Sequence, residues 1–309
     1  GTTNLHPKWS PNGQKIAFIS NKHNDYFGQT DLFIYNLEDS TDTKLISGVR
    51  YAPEWLDDTT LVFTLRSKPN KNGSKFFNLY KMSLNQEEPD QLTEDMRLRS
   101  PAFNKKHNVI AAVSTIDGLS NLFISDADSI DFIKVTNFRN QEYISSINCD
   151  NGSDYILMDV IMDHGRDIYK FDINNKEMIK VFDTDNDMRN PLYTDEVTYF
   201  SQDYNDIFNI GYESQGEFKF LTNVTGGAFM PDISNNKLIY SLYKDGGYKI
   251  AIINDLEDIS RELVGYNEPQ KNKSTHLLIS DDLDFTKNSR IYSGEMSQLH
   301  VVPRIMLDY

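Results

Sequence analysis

The chain has one cysteine, Cys149, in 309 residues, so no internal disulfide is available to it. It has only two tryptophans, Trp9 and Trp55. It also lacks an apolar run near the roughly 20 residues that a membrane-spanning helix requires. Positive charge is scarce: 31 Lys and Arg stand against 46 Asp and Glu, for a net charge of -15. A phosphate backbone or an anionic membrane needs a basic face, so the balance argues against a general nucleic-acid or anionic-membrane binder. The reaction signatures are missing too. There is no Gly-x-Ser-x-Gly nucleophile elbow, no His-Glu-x-x-His, and no Walker or dinucleotide loop. What is present is ample material for a core: 39% hydrophobic and 12% aromatic residues.

That material is arranged as a repeat. A Pro followed two residues later by a large apolar side chain recurs at Pro7-Lys8-Trp9, Pro53-Glu54-Trp55, Pro101-Ala102-Phe103, Pro191-Leu192-Tyr193 and Pro231-Asp232-Ile233. One unit reads Ile147-Asn148-Cys149 without the Pro. Starts at 7, 53, 101, 147, 191 and 231 are about 40 to 48 residues apart. Each start is followed by a turn rich in Asn, Asp or Gly, such as Pro11-Asn12-Gly13, which suits a tight hairpin. A run apolar on both faces comes next, for example Ile16-Ala17-Phe18-Ile19, as expected of a central strand.

The third run reads acid or amide, aliphatic, aromatic: Asp31-Leu32-Phe33, Asn78-Leu79-Tyr80, Asn121-Leu122-Phe123, Asp167-Ile168-Tyr169, Asp206-Ile207-Phe208. The sixth unit substitutes Tyr248-Lys249-Ile250. The acid or amide is expected to bond the loop backbone just before its strand. A fourth run alternates polar and apolar, as an outer strand would, from Thr43–Ile46 to Arg261–Val264. Six units of four runs predict an all-β, six-bladed β-propeller with four antiparallel strands per blade. A two-sheet sandwich does not account for the fixed four-run repeat.

The stretch from Pro7 to Ser20, followed by Asp31-Leu32-Phe33-Ile34-Tyr35, resembles the TolB-like repeat, also called WD40-like or PD40. The resemblance covers residues 5–265. It implies a six-bladed propeller in a bacterial envelope, periplasmic or at the cell surface, and no particular ligand. The chain divides into a propeller over 1–265 and a C-terminal extension or linker over 266–309. Blade six is expected to own its fourth strand, Arg261–Val264, so that residues 1–5 are not needed to complete it. Gly1-Thr2-Thr3-Asn4 shows no leader, which suggests a mature or excised domain. The tail Gln298–Tyr309 is similar to the segment that leads from such propellers toward an outer-membrane β-barrel. The alternative is a tail folded on the propeller.

Five of the ten arginines, Arg50, Arg97, Arg99, Arg139 and Arg189, fall in connections between blades. Those connections would ring one mouth of the central channel. Arg binds carboxylate or phosphate through a planar fork, so the ring is a candidate anion site. The competing reading pairs each Arg with an acid such as Asp95, Glu142 or Asp187, as glue between blades. The same face would carry aromatic loops with Tyr26, Phe27, Phe76, Phe77 and Tyr204, suited to protein recognition. Asp183, Asp185 and Asp187 form a D-x-D-x-D run that is a candidate calcium site, though the EF-hand Gly and Glu are missing. No other cofactor is expected. The histidines are scattered, and Cys149 sits in the Trp/Phe/Tyr slot as an inert buried thiol. Three functions follow. The first is a non-catalytic, monomeric propeller presenting one face to a protein, peptide or glycan partner, with no membrane insertion of its own. The second is the gating propeller of a prolyl-oligopeptidase-type peptidase. The third is a metal-dependent propeller enzyme.

Overall fold

The computed structural model describes residues 2–256 apart from 25–27, 141, 150, 163–164, 183, 185, 205 and 215–216. The side chains of Tyr204, Ser214 and Glu217 also lie outside the description. Arg261–Val264 and the whole of 266–309 lie outside the described residues.

Six antiparallel sheets follow one another along the chain. Blade one holds β1 (Asn4–Trp9), β2 (Lys15–Ser20), β3 (Asp31–Asn36) and β4 (Thr41–Ser47). Blade two holds β5 (Glu54–Trp55), β6 (Thr60–Arg66), β7 (Phe77–Ser83) and β8 (Asp90–Gln91). Blade three holds β9 (Leu98–Asn104), β10 (Val109–Ile116), β11 (Leu119–Asp126) and β12 (Ile133–Lys134). Blade four holds β13 (Tyr143–Cys149), β14 (Tyr155–Met162), β15 (Gly165–Asp172) and β16 (Met178–Lys180). Blade five holds β17 (Met188–Thr194), β18 (Val197–Tyr204), β19 (Ile207–Ser214) and β20 (Glu217–Phe220). Blade six contributes β21 (Ala228–Ser234), β22 (Lys237–Lys244) and β23 (Gly247–Ile253) among the described residues.

Each sheet is a meander in chain order. The six first strands touch one another in a closed cycle and so line the central channel. This is the six-bladed propeller that the repeat predicts. Second strands are buried over their central residues, as their apolar runs require, and β8 and β12 are exposed as outer strands.

The repeated Pro has a structural cause. The pairing of β1, β9, β17 and β21 with their second strands shifts register at the Pro. Proline cannot donate to a ladder, so it falls where a bulge leaves the strand unpaired. The residue before it adopts positive φ: His6 53°, Ser100 51°, Asn190 52° and Met230 57°. Freed from the ladder, three of these N–H groups bond the preceding blade. Asn190 N–H donates to Asp159 Oδ2 at 2.9 Å, Met230 N–H to Asn190 Oδ1 at 3.3 Å, and His6 N–H to Met230 Sδ at 3.4 Å. The bulge thus converts a lost ladder bond into a bond between blades.

Pairing also corrects the third-run alignment. Leu32, Leu79, Leu122 and Ile168 lie opposite Ile19, Thr64, Val113 and Asp159. In blade five that column holds Ile210, opposite Ser201, and in blade six Ile250, opposite Ser241. The units are therefore Asn209-Ile210-Gly211 and Lys249-Ile250-Ala251. Asp206-Ile207-Phe208 instead starts at the hairpin tip, where Tyr204 pairs with Ile207. Where the described residues show its bond, the Asx side chain reaches the connection after the fourth strand rather than the loop before its own strand. Asn121 Oδ1 accepts Phe138 N–H and Asn209 Oδ1 accepts Val224 N–H, both at 2.8 Å, in the connection to the next blade.

Residues 4 and 5 stay in blade one, where Asn4 pairs with Ser20 and Leu5 with Ile19. Among the described residues no strand is shared between blades one and six. Their seam is held by the apolar contact of Trp9 and Ile16 with Ile239 and by the Asp232 carboxylate. Asp232 accepts Trp9 N–H at 2.7 Å and faces Lys8 Nζ at 3.6 Å. Asp232→Ala should lower stability by about 1–3 kcal/mol through the orphaned Trp9 N–H alone. Removing the surface partner of Lys22, by Asp42→Ala, should cost less than about 1 kcal/mol. Denaturant midpoints of the two variants check this. Equal midpoints would remove Asp232 from the closure.

Candidate functional site

The channel opens into a cavity at each end, and each has a volume of about 420 Å³. Lys8 and Asn148 line both, so they stand where the cavities meet. Residues one place after each repeat start are Lys8, Glu54, Ala102, Asn148, Leu192 and Asp232, and this column points at the axis. The proof is that side chains from three blades meet there. Lys8 Nζ lies 3.5 Å from Glu54 of blade two and 3.6 Å from Asp232 of blade six.

Burial dominates the electrostatics of this cluster. It pushes the Glu54 carboxyl up to about 7, against the pull of Lys8, and raises Asp232 as well. Burial works against the Lys8 ammonium too, but the charges of Glu54 and Asp232 outweigh it and hold its pKa above the ordinary value. His6, in the bulge next to Lys8, is lowered to about 4 by burial and by the Lys8 charge. At neutral pH the waist of the channel therefore carries Lys8 as a cation beside neutral His6.

The mouth reached by the connections between blades is basic. Arg50, Arg166 and Arg189 line its cavity together with His6, Ser100, Asn190 and Tyr248. Arg50 is exposed. Arg189 donates to Asp187 Oδ2 at 2.9 Å and lies over the Phe208 ring at 4.3 Å. Asp187 Oδ1 accepts the backbone N–H of Arg166 at 3.2 Å, so one carboxylate positions both arginines. The Nε groups of Arg166 and Arg189 are buried without a hydrogen-bond partner among the described residues. Beside them Asp159 is fully buried, accepting Ser146 N–H at 2.7 Å and Asn190 N–H at 2.9 Å. Burial raises its pKa.

The other arginines of the sequence reading are placed differently. Arg99 is 5% exposed and donates to the carbonyl of Ile144 at 2.8 Å, between Tyr51 and Tyr143, so it joins blades three and four. Arg97 is exposed over Phe76 at 4.2 Å, and exposed Arg139 lies against Asn137. Phe76 is half-buried beneath Arg97, and Phe77 packs edge-on to Tyr51 at 5.1 Å. Tyr26, Phe27, Asp183 and Asp185 lie outside the described residues, as does the Tyr204 side chain. Asp187 is engaged by the arginines. Among the described residues no group of three or more His, Cys, Asp or Glu could hold a metal ion.

The opposite mouth is formed by the turns between first and second strands. Its cavity is lined by Trp9, Trp55, Cys149, Tyr193 and Ile233, five members of one repeat slot, and by Glu54, Asp195 and Asp232. Trp9, Trp55 and Phe103 are buried, as the repeat predicts. Cys149 and Tyr193, which line the same cavity, are only half-buried, contrary to the burial expected of the slot.

Lys8, Glu54, Asn148, Asp232 and Arg166 belong to the two mouths but carry no motif that singles them out in the sequence. A positional signal for the first four was present: four polar residues, three of them charged, in the column just after the repeat start, and for Lys8 and Glu54 that column lies between a Pro and a buried Trp. Arg166 lies in the β14–β15 hairpin, not in a connection between blades.

No protein-family model matches the sequence, and no curated protein matches it either. Solved structures do. The chain superposes on a putative TolB from Agrobacterium tumefaciens with a TM-score of 0.54 at 12% identity, over 71% of this chain and 80% of that one. It superposes on the β-propeller domain of the Trilobed protease from Pyrococcus furiosus with a TM-score of 0.58 at 16% identity, over 87% and 84%. That domain is described as having an open velcro topology. For the Pyrococcus horikoshii acylaminoacyl peptidase the TM-score is 0.56 at 15% identity, over 80% of this chain but 44% of that one. These likenesses establish the fold as a TolB-like β-propeller. Among the described residues no helix is long and apolar enough to cross a membrane.

Proposed function

We propose that this TolB-like β-propeller is a non-catalytic binding module of the bacterial envelope, and that its basic mouth receives a carboxylate-bearing segment of a protein or peptide partner. The observation that carries the reading is the cluster of Arg50, Arg166 and Arg189 around one cavity in a chain of net charge -15. Two of these guanidinium groups retain a buried Nε without a partner. A carboxylate presents acceptors in the plane that a guanidinium fork requires. Ser100, Asn190 and Tyr248 add neutral donors around it. The Tyr51 and Phe229 rings supply apolar area for the residues that carry the carboxylate. The envelope setting rests on the TolB-like repeat.

The test uses immobilised protein and a random peptide library free of Asp and Glu, in two forms, with free and with amidated C-termini, so that the terminal carboxylate is the one that differs. Retention of the free-acid library alone is the expected result. Arg50→Ala and Arg166→Ala should each weaken the selected peptides roughly 10- to 100-fold, the worth of a charge-assisted hydrogen bond. Equal retention of both libraries overturns the reading.

The likeness to peptidase propellers supports a second reading, an accessory propeller that gates access to a catalytic domain elsewhere in the parent protein. The chain corresponds to less than half of the Pyrococcus horikoshii peptidase. An α/β-hydrolase domain encoded in the same gene would decide for it.

A further inference from the structure

The two ends of this channel carry opposite charge. At the end away from the arginines, the cavity of about 420 Å³ is lined by three carboxylates, Glu54, Asp195 and Asp232, and one cation, Lys8. Lys8 is matched by the two acids that flank it, at 3.5 and 3.6 Å. Asp195 stands exposed at the rim, and no ion pair is given to it by the described residues. Trp9, Trp55 and Tyr193 complete the wall. Carboxylates beside aromatic rings form the surroundings that stabilise an organic cation, by charge on one side and ring quadrupole on the other. A second observation points into the same space. Asn148 is 5% exposed, and its Oδ1 is buried without a hydrogen-bond partner among the described residues. Asn148 belongs to the column whose other members meet at the channel axis, so its amide is aimed at the junction of the cavities. A buried acceptor with no donor is costly and is satisfied by a ligand that brings one.

We propose that the acidic end of the channel binds a primary alkylammonium group. Its three N–H donors suit the remaining oxygens of Glu54 and Asp232 and Asn148 Oδ1, and Asp195 adds negative charge at the rim. Its alkyl stem lies along the indole and phenol rings. A metal ion is the poorer fit, because among the described residues no three ligating side chains converge. The site stands apart from the arginine mouth and does not depend on the reading given for it.

Trp9 and Trp55 are the two tryptophans of the chain, and both line this cavity, so intrinsic fluorescence reports on it directly. Titration of the whole chain with n-butylammonium should give a saturable change, and n-butanol and n-butyrate at equal concentration should not. Asp195→Asn, an exposed substitution that keeps the shape of the rim, should weaken the response roughly three- to fivefold, as expected for one exposed charge. Arg50→Ala should leave it unchanged. Putrescine and N-acetyl-lysine amide, run alongside, separate a free amine from a protein lysine as the source: the tighter binder names it, and saturable binding of either supports the site. A response to butanol equal to that of butylammonium, no saturable response to any amine, or an Asp195→Asn curve that overlays the parent would overturn the proposal.

Discussion

Trp55→Ala should lower the unfolding free energy by about 3–5 kcal/mol, the range for truncating a buried aromatic side chain. Trp55 is 4% exposed and belongs to an apolar cluster with Leu61, Phe63 and Met82 of its own blade and Ala17, Ile19 and Leu32 of blade one. Its indole Nε1 donates to the carbonyl of Lys8 at 3.2 Å. Truncation therefore opens a cavity in the seam and orphans an acceptor beside the channel cluster. Chemical denaturation followed by circular dichroism measures the loss. Cys149→Ala provides the contrast. It occupies the same repeat slot, but its side chain is smaller and half-buried, so its cost should be about 1 kcal/mol. A Trp55→Ala loss below about 1 kcal/mol would mean that the slot does not hold the blades together.

The second large effect is a pair of opposed pH dependences in the channel waist. Glu54 titrates near 7 in the folded chain against 4.5 ordinarily, so between those values the folded state holds a proton that the unfolded state has released. Its contribution to stability is full below pH 4.5 and is lost as pH rises through 7. His6 titrates near 4 against 6.5, so the unfolded state takes up a proton that the folded state refuses. Its contribution is full above pH 6.5 and is lost as pH falls through 4. Each difference corresponds to about 3 kcal/mol, and over the shared window the two offset one another. Glu54→Gln should therefore make acidification from pH 7 to 4.5 more destabilising than in the parent, by about 3 kcal/mol. His6→Asn should make acidification from pH 6.5 to 4 less destabilising by a similar amount. Denaturant midpoints across that range decide the matter. Curves parallel to the parent for both variants would show that neither group titrates as its burial requires.

Most of the fold was legible in the sequence, because its determinants are local. Alternation within a run reports which face of a strand is buried, and a tight turn reports itself through Asn, Asp and Gly. Pro marks the bulge in four of the six first strands. Legibility failed where the marker was displaced by a few residues. Asp206-Ile207-Phe208 imitates the third-run pattern, but the column is held by Asn209-Ile210-Gly211, and the difference lies in the pairing of β18 with β19. Phe208 then serves as the ring beneath Arg189 rather than as a core aromatic.

The site divides along the same line. The sequence by itself determined the number of blades, the order of strands within each and the residues of the first-strand slots, since each depends on a chain segment of one repeat or less. It also placed Arg50 and Arg189 in connections between blades. Only the tertiary structure decided what those positions meet. Arg99 and Arg189 each stand two residues before a Pro, yet one is spent on backbone carbonyls of the next blade while the other opens into a cavity. Lys8 finds Glu54 46 residues along the chain and Asp232 in the last blade, so the charged waist exists only once the ring is closed. The physical reason is that a charge in an interior column is stable only against partners supplied by other blades, and no run of neighbouring residues contains that information.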